Sequence, residues 1–126
     1  MRVNEEIRKE LIKNLRIRLQ SFTRRMNRII GRMTRVQSVE KLMKLKKEML
    51  LEWLQLIPLE RYFCYFCIKD NLERESIDDM CKKCEYAKIH GVCTEDDSDF
   101  YKIEKVLTIL EKKINKLYVR RGERYD

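Results

Sequence analysis

The sequence predicts an all-α protein, a three-helix bundle or coiled-coil hairpin with a zinc-knuckle-like insertion between its second and third helices. Three observations predict it. Charged residues make up 40% of the 126, with one proline and three glycines, too few turn residues for a sheet protein. Apolar residues step by three and four along both ends of the chain, the mark of helices with a narrow seam. All five cysteines and the single histidine fall between Cys64 and Cys93.

The first helix is predicted over about residues 3–36. Its seam is unbroken from Ile12 through Leu15, Leu19, Phe22, Met26, Ile29 and Met33 to Val36, and fails at Glu40 and Lys47. Ser38 is a good N-cap for a second helix over 38–57, because a serine hydroxyl satisfies one of the unpaired N–H groups of the first turn. Pro58 closes it by excluding the preceding residue from helix. A continuous helix kinked at 34–38 is the alternative to a break. The third helix, about 98–120, opens at Ser98 or Asp97 among acids that suit the positive end of a helix dipole. It steps through Phe100, Ile103, Leu107, Leu110, Ile114 and Leu117. The terminal RRGERYD carries no helical pattern. Together these form one domain, 1–126, with a cysteine module at 61–97.

Four heptads in the first helix outrun the two and a half of the third. An intramolecular hairpin would leave part of the first seam uncovered, which soluble monomers rarely tolerate. A homodimer is therefore expected unless the second helix covers the stripe. No apolar run approaches the roughly 18 residues of a membrane span, and the N-terminus lacks a signal peptide's apolar core. A cytoplasmic protein without membrane contact is expected, and the Lys/Arg/Glu-rich, Gln-poor composition leans toward a thermophile.

Cys64-x2-Cys67 and Cys81-x2-Cys84 lie thirteen residues apart, followed by His90 and Cys93. Two residues between thiolates let one turn aim both sulfurs at a single ion, and two such turns complete a tetrahedron. In a reducing compartment such a doubled pair indicates zinc or another thiophilic metal, while disulfides are the alternative in a thermophile's cytosol. Six candidate ligands exceed the four that zinc takes. Cys64, Cys67, Cys81 and Cys84 are the plain set, Cys93 is close enough to replace one, and His90 is expected beside the site more than on the metal. A saturated structural site activates no water. There is no glycine-rich phosphate loop, no Ser/His/Asp set and no carboxylate pair on an apolar face, so an enzyme is not expected.

The segment CYFC…CKKCEYAKIHGVC…SDFY resembles a small cysteine module of uncharacterised phage and archaeal-virus proteins. Cys64, Cys67, Cys81, Cys84, Gly91, Cys93 and Tyr101 match its pattern. Glu85 stands where a proline is frequent, and SDFY replaces a Pro-Tyr step. The resemblance covers residues 64–101 and implies a metal-like cluster and a viral or mobile-element origin, with no activity attached.

Charge is unevenly spread. Residues 1–57 carry 15 basic and 6 acidic side chains, and residues 58–99 carry 6 and 11. Between Glu10 and Glu40 there is no acid, but there are eight bases: Lys13, Arg16, Arg18, Arg24, Arg25, Arg28, Arg32 and Arg35. Arg18, Arg25 and Arg32 recur every seven residues beside the seam, and Arg24, Arg28 and Arg35 lie on the outer face. Guanidinium groups repeating about every 10 Å suit a phosphate backbone. They equally suit pairing with acids of a neighbouring helix. The expectation is a metal-stabilised accessory protein that binds DNA or RNA through phosphate with weak sequence preference. The alternative is a protein–protein adaptor working through its helix seams.

Overall fold

The computed structural model describes residues 1–74, 84–90, 93, 98–120 and 123–124. These are all-α apart from one two-residue antiparallel ladder near the C-terminus. Helix α1 spans Glu5–Met33. Asn4 starts it by accepting the N–H groups of Glu6 at 2.9 Å and Ile7 at 3.4 Å on Oδ1. The chain breaks after Met33, where the Thr34 hydroxyl donates to the Gly31 carbonyl at 2.7 Å. Of the two possibilities at 34–38, the break is the one realised.

Helix α2, Val39–Leu56, begins at the predicted cap. Ser38 is extended (φ −103°, ψ 144°) and its Oγ accepts the Lys41 N–H at 3.2 Å. The third predicted helix is α5, Asp99–Asn115, shorter at its end than expected because residues 116–118 turn. Tyr118 takes a left-handed φ of 61° there. Val119–Arg120 (β1) then pairs antiparallel with Glu123–Arg124 (β2).

The expectation of three helices is corrected inside the cysteine module. A 3-10 turn, Arg61–Phe63, leads into helix α3, Tyr65–Glu73, and a short helix α4 covers Glu85–His90. Five α-helices are thus found among the described residues. The first Cys-x2-Cys is the opening turn of a helix, because Tyr65 to Glu73 lacks the glycine and proline that would interrupt one.

The chain divides into two compact units, each discontinuous in sequence: Met1–Ile17 with Pro58–Val106, and Arg18–Ile57 with Leu107–Asp126. The second unit holds the main apolar cluster, Phe22, Met26 and Ile29 of α1 with Leu45 of α2, edged by Met33, Val36, Met49 and Leu56. Each such buried side chain contributes about 1.5–3 kcal/mol. Trp53 stands edge-on to Phe22, ring centres 5.5 Å apart at 89°, a favoured aromatic geometry. So α2 covers the α1 seam from Phe22 onward. Ile12, Leu15 and Leu19 remain 40%, 38% and 56% exposed.

The first unit is poorer in core. Among its described residues the buried apolar side chains are Ile7, Ile68 and Cys84, with Asp70 and Ser98 as buried polar ones. Hydrogen bonds dock the cysteine segment on α1: the Asn4 N–H donates to the Tyr65 hydroxyl and the Asn14 amide to the Tyr62 carbonyl, both at 2.9 Å. Among the described residues no helix is long and apolar enough to cross a membrane.

Candidate metal centre and nucleic-acid face

Three of the four described cysteines stand at helix starts. Cys64 is the residue before α3 and Cys67 lies in its first turn. Cys84 precedes α4, its carbonyl accepting the Lys88 N–H at 3.3 Å. Cys93 comes before α5, and its carbonyl accepts a 3.1 Å hydrogen bond from Ser98 Oγ. Ser98 is wholly buried, and the same Oγ accepts the Tyr101 N–H at 3.1 Å. The predicted cap is therefore also the link that holds Cys93 to the entry of α5. Helix starts gather positive partial charge, which favours a thiolate over a thiol.

Cys84 is buried, and Cys64, Cys67 and Cys93 are half-buried, all as free thiols. The Cys64 thiol is lowered from an ordinary 9.0 to about 6. The chief cause is the hydrogen bond from the Cys67 thiol, opposed by burial and assisted by the N–H groups of Cys67 and Phe66 that face the sulfur. None of these reaches the geometry of a full capping bond. Cys67 is pushed up, first by the same hydrogen bond, then by burial and by the charges of Cys64, Cys93 and Cys84. The pair shares a proton, one sulfur ionising early and the other late. Cys67 thus feels the charge of the other three described cysteines.

Two contacts brace α3 against α4. Lys69 Nζ and Glu85 Oε1 pair at 2.5 Å, raising the lysine and lowering the carboxyl. Glu85, the departure from the resembling module's proline, is thus a structural partner. The rings of Phe66 and Tyr86 lie 5.9 Å apart. Burial raises the Tyr86 hydroxyl, followed by the charges of Asp99, Cys93 and Cys64, which places those groups around it. A cleft of about 800 Å³ opens beside the cysteines, lined by Cys67, Cys93, Ile68 and Phe100 together with Glu6 and Glu10.

The donor chemistry fits a thiophilic cation: several sulfurs, one already poised to ionise, in a unit that buries few apolar side chains among its described residues. Among the described residues no three His, Cys, Asp or Glu side chains are drawn together as a metal-holding group. Cys81 and the His90 side chain lie outside the described residues.

The six predicted arginines separate into two sets. Arg18 Nη1 donates to the Gln55 carbonyl at 2.5 Å. Arg25 Nε donates to Glu52 at 2.6 Å and its Nη1 to Ser21 Oγ at 2.6 Å. Arg32 pairs with Glu48 at 3.2 Å while staying more than half exposed. This row joins α1 to α2, as the pairing alternative foresaw. Arg24, Arg28 and Arg35 are exposed, and among the described residues none is joined to an acid. Shallow depressions around them are lined by Asn27, Arg28, Gly31, Arg32 and Arg35, and by Arg32, Arg35, Ser38 and Lys41. Lys41 was missed by sequence reasoning, which ended the basic face at the first acid, Glu40. Tyr62 and Tyr65 were missed too, although the aromatics flanking Cys64 were a visible signal.

No protein family matches this chain, and no curated protein or solved structure is significantly similar to it.

Proposed function

We propose that this chain is a small metal-stabilised accessory protein that binds nucleic acid through phosphate. The observation that carries the reading is the separation of the arginines. One row is consumed in holding α1 to α2, and a second, Arg24, Arg28 and Arg35, is held outward by that pairing. Arg32 and Lys41 flank it beside a surface that can admit phosphate. Guanidinium groups on a rigid helix meet phosphate oxygens with little loss of freedom. Among the described residues no helix pairs an arginine row with base-reading side chains, so affinity should be led by charge and hardly vary with sequence.

Cys64, Cys67 and Cys84, completed by Cys81 or Cys93, would hold the metal, zinc by ligand type. A bound ion would supply cross-linking where the first unit buries few apolar side chains among its described residues. The protein's own part is to set thiols at helix starts, to clamp α3 to α4 through Lys69 and Glu85, and to fix Cys93 through Ser98.

The test is binding of random-sequence duplex DNA and of RNA by the intact protein across a salt series. Retention at low salt that falls steeply with salt supports the reading. No retention at low salt overturns it. A second reading, an adaptor acting through helix seams, is favoured by the apolar side chains that α5 leaves uncovered.

A further inference from the structure

The cleft of about 800 Å³ beside the cysteines lies wholly within the first unit, to which every one of its lining residues belongs. Three helices each turn one face to it. Glu6 and Glu10 of α1, Ile68 and Leu72 of α3, and Phe100 and Glu104 of α5 all line it. The members of each pair are four residues apart, the spacing of neighbours on one helix face. The lining divides by exposure. Ile68 is buried and Leu59 and Phe100 are half-buried, whereas the carboxylates of Glu6, Glu10, Glu60 and Glu104 belong to exposed residues. The cleft is thus apolar inside and acidic toward solvent.

Against four carboxylates the lining holds one guanidinium, Arg61, in a chain whose net charge is +8. Glu60 and Glu104 already interact within the chain. Glu6 and Glu10 are different: among the described residues neither takes part in an ion pair. Lys9 and Lys13 of the same helix are not in the lining. Two carboxylates four residues apart on a helix repel each other, and a cation seated between them relieves that repulsion.

We propose that this cleft binds a small organic cation, an amine with an apolar body. Its ammonium sits between Glu6 and Glu10, and its body lies against Ile68, Leu72 and Phe100. The inference rests neither on nucleic-acid binding nor on the identity of the metal. Size selects a small molecule. Sites for such ligands span about 300–1,000 Å³ and set a few polar groups among apolar and aromatic side chains, whereas a docked helix needs an open groove several turns long. Charge selects a cation, because an anion would meet four carboxylates. The apolar interior selects the body, since burying it supplies a driving force that a compact, strongly hydrated ion lacks. Phe100 and Tyr62 are aromatic, and the face of such a ring attracts an ammonium. Two lining amides already serve the fold: Asn14 donates to the Tyr62 carbonyl and Asn71 accepts from Arg74, both at 2.9 Å.

The test uses the full protein as isolated, with phenethylamine as the probe. Phenethyl alcohol and ethylamine serve as its uncharged and bodyless counterparts. In a nitrogen–proton NMR titration the amine should shift the amide signals of Glu6, Glu10, Ile68, Leu72 and Phe100 saturably. Each counterpart should bind about tenfold more weakly. Glu6→Gln combined with Glu10→Gln should weaken phenethylamine about tenfold, the sum of two exposed ion pairs, and leave the alcohol unchanged. Leu72→Lys, at a side chain 62% exposed, puts an ammonium of the protein's own at the cleft. It should abolish binding of the amine while circular dichroism stays that of wild type. The absence of saturable shifts up to millimolar amine overturns the proposal. Equal binding of either counterpart, or unchanged affinity in the Glu6 and Glu10 variant, overturns it as well. Binding of an oligolysine peptide without any of phenethylamine does so too, and gives the cleft to a basic segment of another protein.

Discussion

The hydroxyl of Ser98 donates to the Cys93 carbonyl while it accepts the Tyr101 N–H, each at 3.1 Å, with the side chain wholly out of solvent. One oxygen therefore both starts α5 and fixes the last cysteine of the module. Ser98→Ala should cost about 1–2 kcal/mol, the range of a lost cap, with a further cost for a carbonyl left without its donor. Urea unfolding of the two proteins measures it. Because Cys93 loses its tether, metal retention against a chelator should fall in the same variant, and unchanged stability and retention would refute the linked role.

Metal removal should unfold the first unit more than the second. The second has Phe22, Met26, Ile29 and Leu45 in one cluster, while the first buries few apolar side chains among its described residues. The protein as isolated is expected to hold about one zinc per chain, the number a single tetrahedral thiolate site takes. Cys67→Ser and Cys84→Ser should each cost several kcal/mol, because binding energy is folding energy in such sites. The check is elemental analysis followed by thermal melting with and without chelator. Metal-free protein that melts unchanged would refute the site.

The two arginine sets should behave oppositely. Arg25 pairs with Glu52 at side-chain exposures of 30% and 23%, so Arg25→Ala should lower stability by about 0.5–1 kcal/mol and leave the salt dependence of DNA binding nearly unchanged. Arg24→Gln, Arg28→Gln and Arg35→Gln combined should leave melting unchanged. They should reduce the slope of log K against log salt by about 0.9 for each phosphate that is no longer neutralised. Equal effects from both sets would show that the division has no bearing on binding.

In the metal-free protein Cys64 should alkylate early in pH. Its thiol is lowered from 9.0 to about 6 by the Cys67 hydrogen bond, so its rate of reaction with iodoacetamide should rise through pH 6, well before an ordinary cysteine. Cys67→Ala removes the donor and should move that rise toward 9. The stability sign is also fixed. A thiol with a depressed folded value adds stability that is complete above pH 9 and is lost as pH falls through 6. The raised value of Cys67 acts in the opposite sense above pH 9, so alkylation followed by mass spectrometry is the cleaner measurement.

Much of this architecture was legible in the order of residues alone. The three long helices and the Ser38 cap follow from the three-four spacing and from local hydrogen-bond chemistry, which act over a few residues, whereas a kink or a break at 34–38 and Ser98 or Asp97 as the cap of α5 were choices that only the fold made. The gathering of donor residues in one acidic segment was equally plain, since it is a fact of order along the chain. The helices α3 and α4 were not legible, because Cys-x2-Cys spacing is as compatible with one helical turn as with a knuckle, and only neighbours such as Lys69 and Glu85 decide between them.

What the sequence by itself determined, then, is where its three long helices lie, where its thiols and cations are, and which residues have an apolar face to bury. What only the tertiary structure decided is which partner each face receives. An arginine every seven residues reads the same whether it meets Glu52 or a phosphate, and it is the packing of α2 on Phe22, Met26 and Ile29 that draws Arg25 inward and leaves Arg28 outside. A seam reads the same on both edges, and it is the rotation of α5 that buries Ile114 and exposes Leu110. Periodicity fixes the angle between side chains around one helix, but the choice of the side that faces inward is an energy shared between elements far apart in the chain.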